Sequence, residues 1–144
     1  MRFAQWLRKE YLFPVRVPVY LAPSATLRAS DGTTNAAIFF GPYSPLEEPY
    51  IRMATGDYSD VLESAGSAEN AAIEYLESLA HELVHYWQWV KTGQASEEGV
   101  DEVAEYIVGE YGASMGRVLV GPEGTTTKKP SAELLSVIEC WRRS

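Results

Sequence analysis

Apolar residues fall in short runs through the first half of the chain and recur every three or four positions through the second. Residues 2–12 carry Phe3, Trp6, Leu7 and Tyr11 at helical spacing, and Pro14 closes that stretch. FPVRVPVYLAP then sets Val15, Val17 and Val19 against Arg16, Pro18 and Tyr20, the two-residue alternation of a strand. Pro18 has no N–H to give a ladder, so this strand is expected at a sheet edge. ASDGTTN is a turn by composition, and the short run AAIFFGPY behind it is rich in strand formers, which makes a hairpin or meander. SPLEEP breaks the chain again, and YIRMATGDY supplies a third strand ending at Gly56-Asp57.

From about Ser67 the period changes. Ile73, Leu76, Leu79, Ala80, Leu83, Trp87 and Val90 recur at helical steps and define one amphipathic helix of about twenty residues. Gly93 is its natural stop. Ser96 is a good N-cap for a second helix running from Glu97 to about Tyr111, whose apolar arc is Val100, Val103, Ala104, Ile107, Val108 and Tyr111. GPEGTTTKKP reads as a loop and SAELLSVIECWRR as a short final helix. Strands followed by helices predict an α+β fold, a small and mainly antiparallel sheet with two long helices, in one domain spanning residues 1–144.

Composition narrows the functional classes. With 46% hydrophobic residues over 144 positions the chain can build a core, which excludes a disordered reading. A formal net charge of −8 argues against a phosphate-binding surface, so no nucleic-acid partner is expected; the pairs Lys128-Lys129 and Arg142-Arg143 are read as solvated charges. No apolar run approaches the roughly 18 residues of a membrane span, and no secretory apolar segment follows Met1-Arg2. The single cysteine, Cys140, permits no intramolecular disulfide and is read as inert. A soluble, cytoplasmic protein is expected.

The chemistry concentrates in LAHELVHYWQW, residues 79–89, which hold the only two histidines. His81 and His85, four apart, lie one helical turn apart on one face and can reach a single ion; Glu82 lies about 100° further round, beside that ion. Two neutral imidazoles hold Zn²⁺ while a neighbouring carboxylate takes a proton from metal-bound water. On the helical wheel the histidines fall opposite the apolar stripe, with Glu74, Ser78 and Gln88, which suggests a cleft rather than a core position. Two histidines leave zinc short of a ligand, and no third His or nearby Cys exists, so the next ligand is a carboxylate of ASEEGVDEVAEYIVGEY. Glu97 and Asp101 border the apolar arc of that helix whereas Glu98, Glu102 and Glu105 point away, which favours Glu97.

HELVH, followed by Ser96-Glu97 and the Glu97-x-x-x-Asp101 pair, resembles the gluzincin zinc metallopeptidases, the group that includes thermolysin, over about residues 75–111. The resemblance implies His81, His85 and Glu97 as zinc ligands, Glu82 as general base, and Asp101 as a carboxylate orienting a ligand histidine. Glu98, which with Gly99 echoes an alternative start of the second helix, and then Glu102 remain candidates for the third ligand. The implied activity is hydrolysis of a peptide or protein substrate, with YIRMATGDY as the edge strand on which an extended substrate could add. The competing expectation is a non-enzymatic, zinc-stabilised module for protein interaction. Tyr58, Tyr106 and Tyr111 are candidates for oxyanion stabilisation by chemistry alone; packing is the plainer role for each, as it is for Trp87.

Overall fold

The computed structural model describes residues 2–24, 26–28, 34–44, 46–116 and 129–143. Most of the turn expected over 29–35, most of the loop expected over 121–130, and Lys128 lie outside the described residues. The elements run α1 (Arg2–Glu10), β1 (Val19–Ala22), β2 (Leu27–Arg28), β3 (Thr34–Asn35), β4 (Ala37–Phe40), β5 (Tyr50–Ala54), α2 (Tyr58–Ala65), α3 (Ala68–Thr92), α4 (Val100–Ser114) and α5 (Ala132–Glu139). The fold is α+β, as the hydrophobic pattern predicts.

α3 is the axis of the molecule. Ser67 caps it, its hydroxyl accepting from the Asn70 N–H at 3.1 Å, and Gly93 ends it in the left-handed region at φ 77°, its N–H donating to Trp89 O at 2.8 Å. Between these caps it packs against α2, β4, β5, α4 and α5. From Ala80 to Trp87 every residue except His81 is buried. An amphipathic wheel assumes one covered face, but a central helix is covered on several, so the side that carries the histidines is walled by protein rather than turned to solvent.

The main sheet has the order β1-β5-β4, with β4 antiparallel and β1 parallel to β5; β2 and β3 form a separate antiparallel pair. The sheet is therefore mixed, because the chain passes through β2, β3 and β4 before β5 returns alongside β1. β1 lies at an edge, where Pro18 is tolerated. β5, from YIRMATGDY, is central and not the edge strand expected from the sequence; the edge strand beside α3 is β4. The predicted strand over 13–23 begins only at Val19, because the backbone before it is engaged elsewhere. Tyr86 OH donates to Val15 O at 2.5 Å and accepts from Val15 N at 3.1 Å, and Trp87 Nε1 donates to Leu12 O at 3.1 Å.

α4 buries all six residues of its expected apolar arc. It starts at Val100, three residues later than the sequence suggests, because Gly99 is at φ 70° and a Cβ there would lie 2.3 Å from Leu134 Cδ2. Glu97 consequently sits in the turn before the helix. α2 has no counterpart in the sequence reading; its stop is Gly66 at φ 82°, whose N–H donates to Leu62 O. The end of the described chain is tied to its start by Arg143 N donating to Glu10 O at 2.7 Å and by Arg142 Nη2 donating to Tyr11 OH at 3.2 Å, and to α4 by Arg142 Nη2 on Glu110 Oε1 at 2.5 Å. Among the described residues no helix is long and apolar enough to cross a membrane.

Candidate metal centre

Two consecutive turns of α3 and the turn leading into α4 bring His81, His85 and Glu97 together, with one donor atom of each lying within 4.8 Å of the others. His85 Nε2 lies 3.2 Å from His81 Nε2 and 2.8 Å from Glu97 Oε1, and His81 Nε2 lies 3.1 Å from Glu97 Oε2. Glu98 and Glu102 are not part of this group. Glu98 lines a different hollow, with Gly99 and Leu134.

The far ring nitrogens determine what the near ones can do. His81 Nδ1 is 2.7 Å from Asp101 Oδ1, a pure acceptor, so in a neutral imidazole Nδ1 carries the proton and Nε2 presents a lone pair. For His85 the partner is Gln88, whose amide is oriented by the loop: its Nε2 donates to Ser96 O and its Oε1 accepts from Ser96 N, each at 3.0 Å. The same Oε1 lies 3.0 Å from His85 Nδ1, which must therefore donate. With both imidazoles in these neutral tautomers, two lone pairs and a carboxylate converge. A cation satisfies that arrangement. A tetrahedral zinc with bonds of about 2.0–2.1 Å would have ligand atoms about 3.3 Å apart, close to the three separations seen here.

Gln88 is a site residue to which the sequence pattern alone assigns no role. The pattern puts it on the histidine face of α3, and the signal for its role is a polar residue three past a candidate ligand.

Glu82 is 8% exposed and His85 6%. Burial pushes the Glu82 carboxyl up to about 7, with His81 lowering it, Glu97 raising it and the N–H of Phe39 lowering it again by donating a hydrogen bond. That donor comes from the outer edge of β4. Ala54 N donates to Ala36 O at 2.8 Å, so residues 36, 38 and 40 face β5 and the backbone of Ala37 and Phe39 points outward, toward the site. Gly41 lets Trp89 close over the end of this strand; a Cβ there would lie 2.6 Å from Trp89 Cδ1.

Two hollows meet at Glu82, Asn35 and Ala37. One, of about 450 Å³, is lined by His81, Asp101, Glu74, Glu77 and Glu105 among others. The other, of about 440 Å³, follows the outer edge of β4 past His85, Glu97 and Ser96 to Arg28, Arg52, Phe40 and Tyr50. Tyr58, Tyr106 and Tyr111 line neither hollow; Tyr111 packs on Phe3 and Tyr58 on Tyr75. Trp87 is core. Comparison of the chain with protein-family models, with curated proteins and with solved structures finds no match.

Proposed function

We propose that this protein is a zinc-dependent metallopeptidase of the gluzincin type, with His81, His85 and Glu97 holding the ion. The observation that carries this reading is the convergence of two imidazoles and a carboxylate next to a buried carboxyl. The donor chemistry, two imidazoles and a carboxylate, suits zinc. Three protein donors leave a coordination position open, as in catalytic zinc sites, whereas structural sites close with four; this favours catalysis over a zinc-stabilised interaction module. Zinc bound here supplies Lewis acidity toward a substrate carbonyl and makes a water easier to deprotonate.

The chain's own residues would divide the rest of the work. Glu82, with its proton affinity raised to about 7 by burial, takes a proton from the attacking water and returns it to the leaving amine. Asp101 and Gln88 hold the two imidazoles in the tautomer that keeps Nε2 free. The Phe39 N–H is engaged by Glu82, and the outward Ala37 N–H and the Ala37 and Phe39 carbonyls offer the ladder positions on which an extended peptide could pair beside it.

The test combines elemental analysis of purified protein with cleavage of denatured casein and of a mixed peptide library. One equivalent of zinc, lost in His81→Ala and His85→Ala, together with cleavage abolished in Glu82→Gln while zinc is retained, supports the reading. Equal proteolysis by wild type and Glu82→Gln, or wild-type protein that takes up no zinc, refutes it.

A further inference from the structure

We infer that the cleft is charge-polarised and selects peptides with an acidic side chain at the position that pairs with Ile38 of β4, where Arg52 and Arg28 would receive it. The inference rests on the peptidase reading for the meaning of the site and adds the substrate class.

Arg28 and Arg52 line the hollow that also holds Glu82, His85 and Glu97. Ion pairs among the described residues involve Arg16, Arg142 and the two histidines; neither Arg28 nor Arg52 takes part in one, although the chain carries 20 acidic residues against 12 basic. Two guanidinium groups without carboxylate partners among the described residues, on the wall of a cleft in an acidic protein, match a carboxylate arriving with the substrate, for which the planar fork is suited.

The sheet register says where that carboxylate sits. Tyr20, Arg52 and Ile38 form one cross-strand row on β1, β5 and β4, so their side chains share a face. A peptide strand added to the open edge of β4 extends the row by one residue, and its side chain opposite Ile38 emerges on the face that carries Arg52. Beyond Glu82 the other hollow presents Glu74, Glu77 and Glu105, close enough that Glu105 and Glu74 both raise the Glu77 carboxyl. Acid on that side of the scissile bond is repelled, so a bound peptide is oriented as well as selected.

The test reads binding rather than turnover. Fluorescein-labelled octapeptides with Glu, Gln or Lys at each position in turn are titrated by anisotropy into zinc-loaded Glu82→Gln protein. One position is expected at which Glu binds about tenfold more tightly than Gln and Lys binds more weakly than either. Arg52→Glu and Arg28→Glu, both at exposed positions and checked for fold by circular dichroism, should each remove that preference. Arg8→Glu, which makes the same change in net charge on the far side of α3, should leave it intact. Equal binding of Glu and Gln peptides at every position, an Arg8→Glu effect as large as that of Arg52→Glu, or no peptide binding at all overturns the proposal. Cleavage by the wild type is scored separately. Charge-selective binding without cleavage refutes the peptidase reading alone, and cleavage with charge-blind binding refutes the polarised cleft alone.

Discussion

Gln88→Ala removes three hydrogen bonds at one stroke. Gln88 Oε1 is shared by His85 Nδ1 and Ser96 N, and Gln88 Nε2 reaches Ser96 O, all at 3.0 Å. One bond holds the His85 ring in the tautomer that presents Nε2; the other two pin the 94–97 segment that carries Glu97. Bonds of this kind contribute about 0.5–1.5 kcal/mol each, and Ser96 is exposed, so water replaces part of what its two bonds supply. The bond to His85, 6% exposed, is replaced least. Loss of such an outer partner weakens metal affinity about 10- to 100-fold, or about 1.4–2.7 kcal/mol. The assay is a competition between protein and a colorimetric zinc chelator, with the thermal melting of each metal-free protein recorded alongside. Gln88→Ala should lose zinc affinity by that factor while its far-ultraviolet circular dichroism stays that of the wild type. Gln88→Glu, which still accepts from His85 and from Ser96 N, should keep most of the affinity. Wild-type zinc affinity in Gln88→Ala, within about twofold, would show that the His85 ring is held by something other than this amide.

The same competition separates the carboxylates: Glu97→Ala should abolish tight zinc binding, and Glu98→Ala and Glu102→Ala should leave it unchanged, since only Glu97 reaches both histidines. Glu77 supplies a pH effect. Burial, reinforced by Glu105, Glu74 and Asp101, raises its carboxyl to about 7, so the stability it contributes is full below the unfolded-state value near 4.5 and is lost as pH rises through about 7. Glu77→Gln should then raise stability at pH 8 by about 1–2 kcal/mol after allowance for partial exposure, with little change at pH 4, read by urea titration at the two pH values. Gly41→Ala should cost about 1–3 kcal/mol in the same titration, because its Cβ would meet both Trp89 and Phe39 inside 3 Å. Trp87→Ala, emptying the largest fully buried side chain and freeing Leu12 O, should cost about 3–5 kcal/mol.

What the sequence makes legible is what local periodicity and caps encode. α3 and α4 follow from three- and four-residue steps, Gly93 stops the first as expected, and the six apolar positions of α4 are all buried. His81, His85 and Glu97 come together because their spacing is a property of one helix and one short turn. What stays hidden depends on partners distant in sequence. The backbone of residues 12–15 alternates like a strand but is claimed by Tyr86 and Trp87, about 70 positions away, and so leaves the sheet. Strand order carries no periodic signature, so β5 reads as an edge and proves central. Gln88 looks like any solvent-side amide until Ser96 folds back on it. Gly99 looks like a helix residue until Leu134, from a segment 35 positions on, occupies the space of its Cβ.

The three donor residues span only residues 81–97. A ligand set confined to so short a stretch closes small loops, and the entropy cost of closing a loop rises only slowly with its length, so an ion bridging these donors constrains the unfolded chain weakly. The hydrophobic contacts of α3, by contrast, draw on α1 near one end of the chain and α5 near the other. The core and the donor group are thereby assembled on different length scales. On the zinc reading proposed above, the scaffold is expected to keep its fold when the ion is removed, so that the ion could be taken up late, exchanged or withheld.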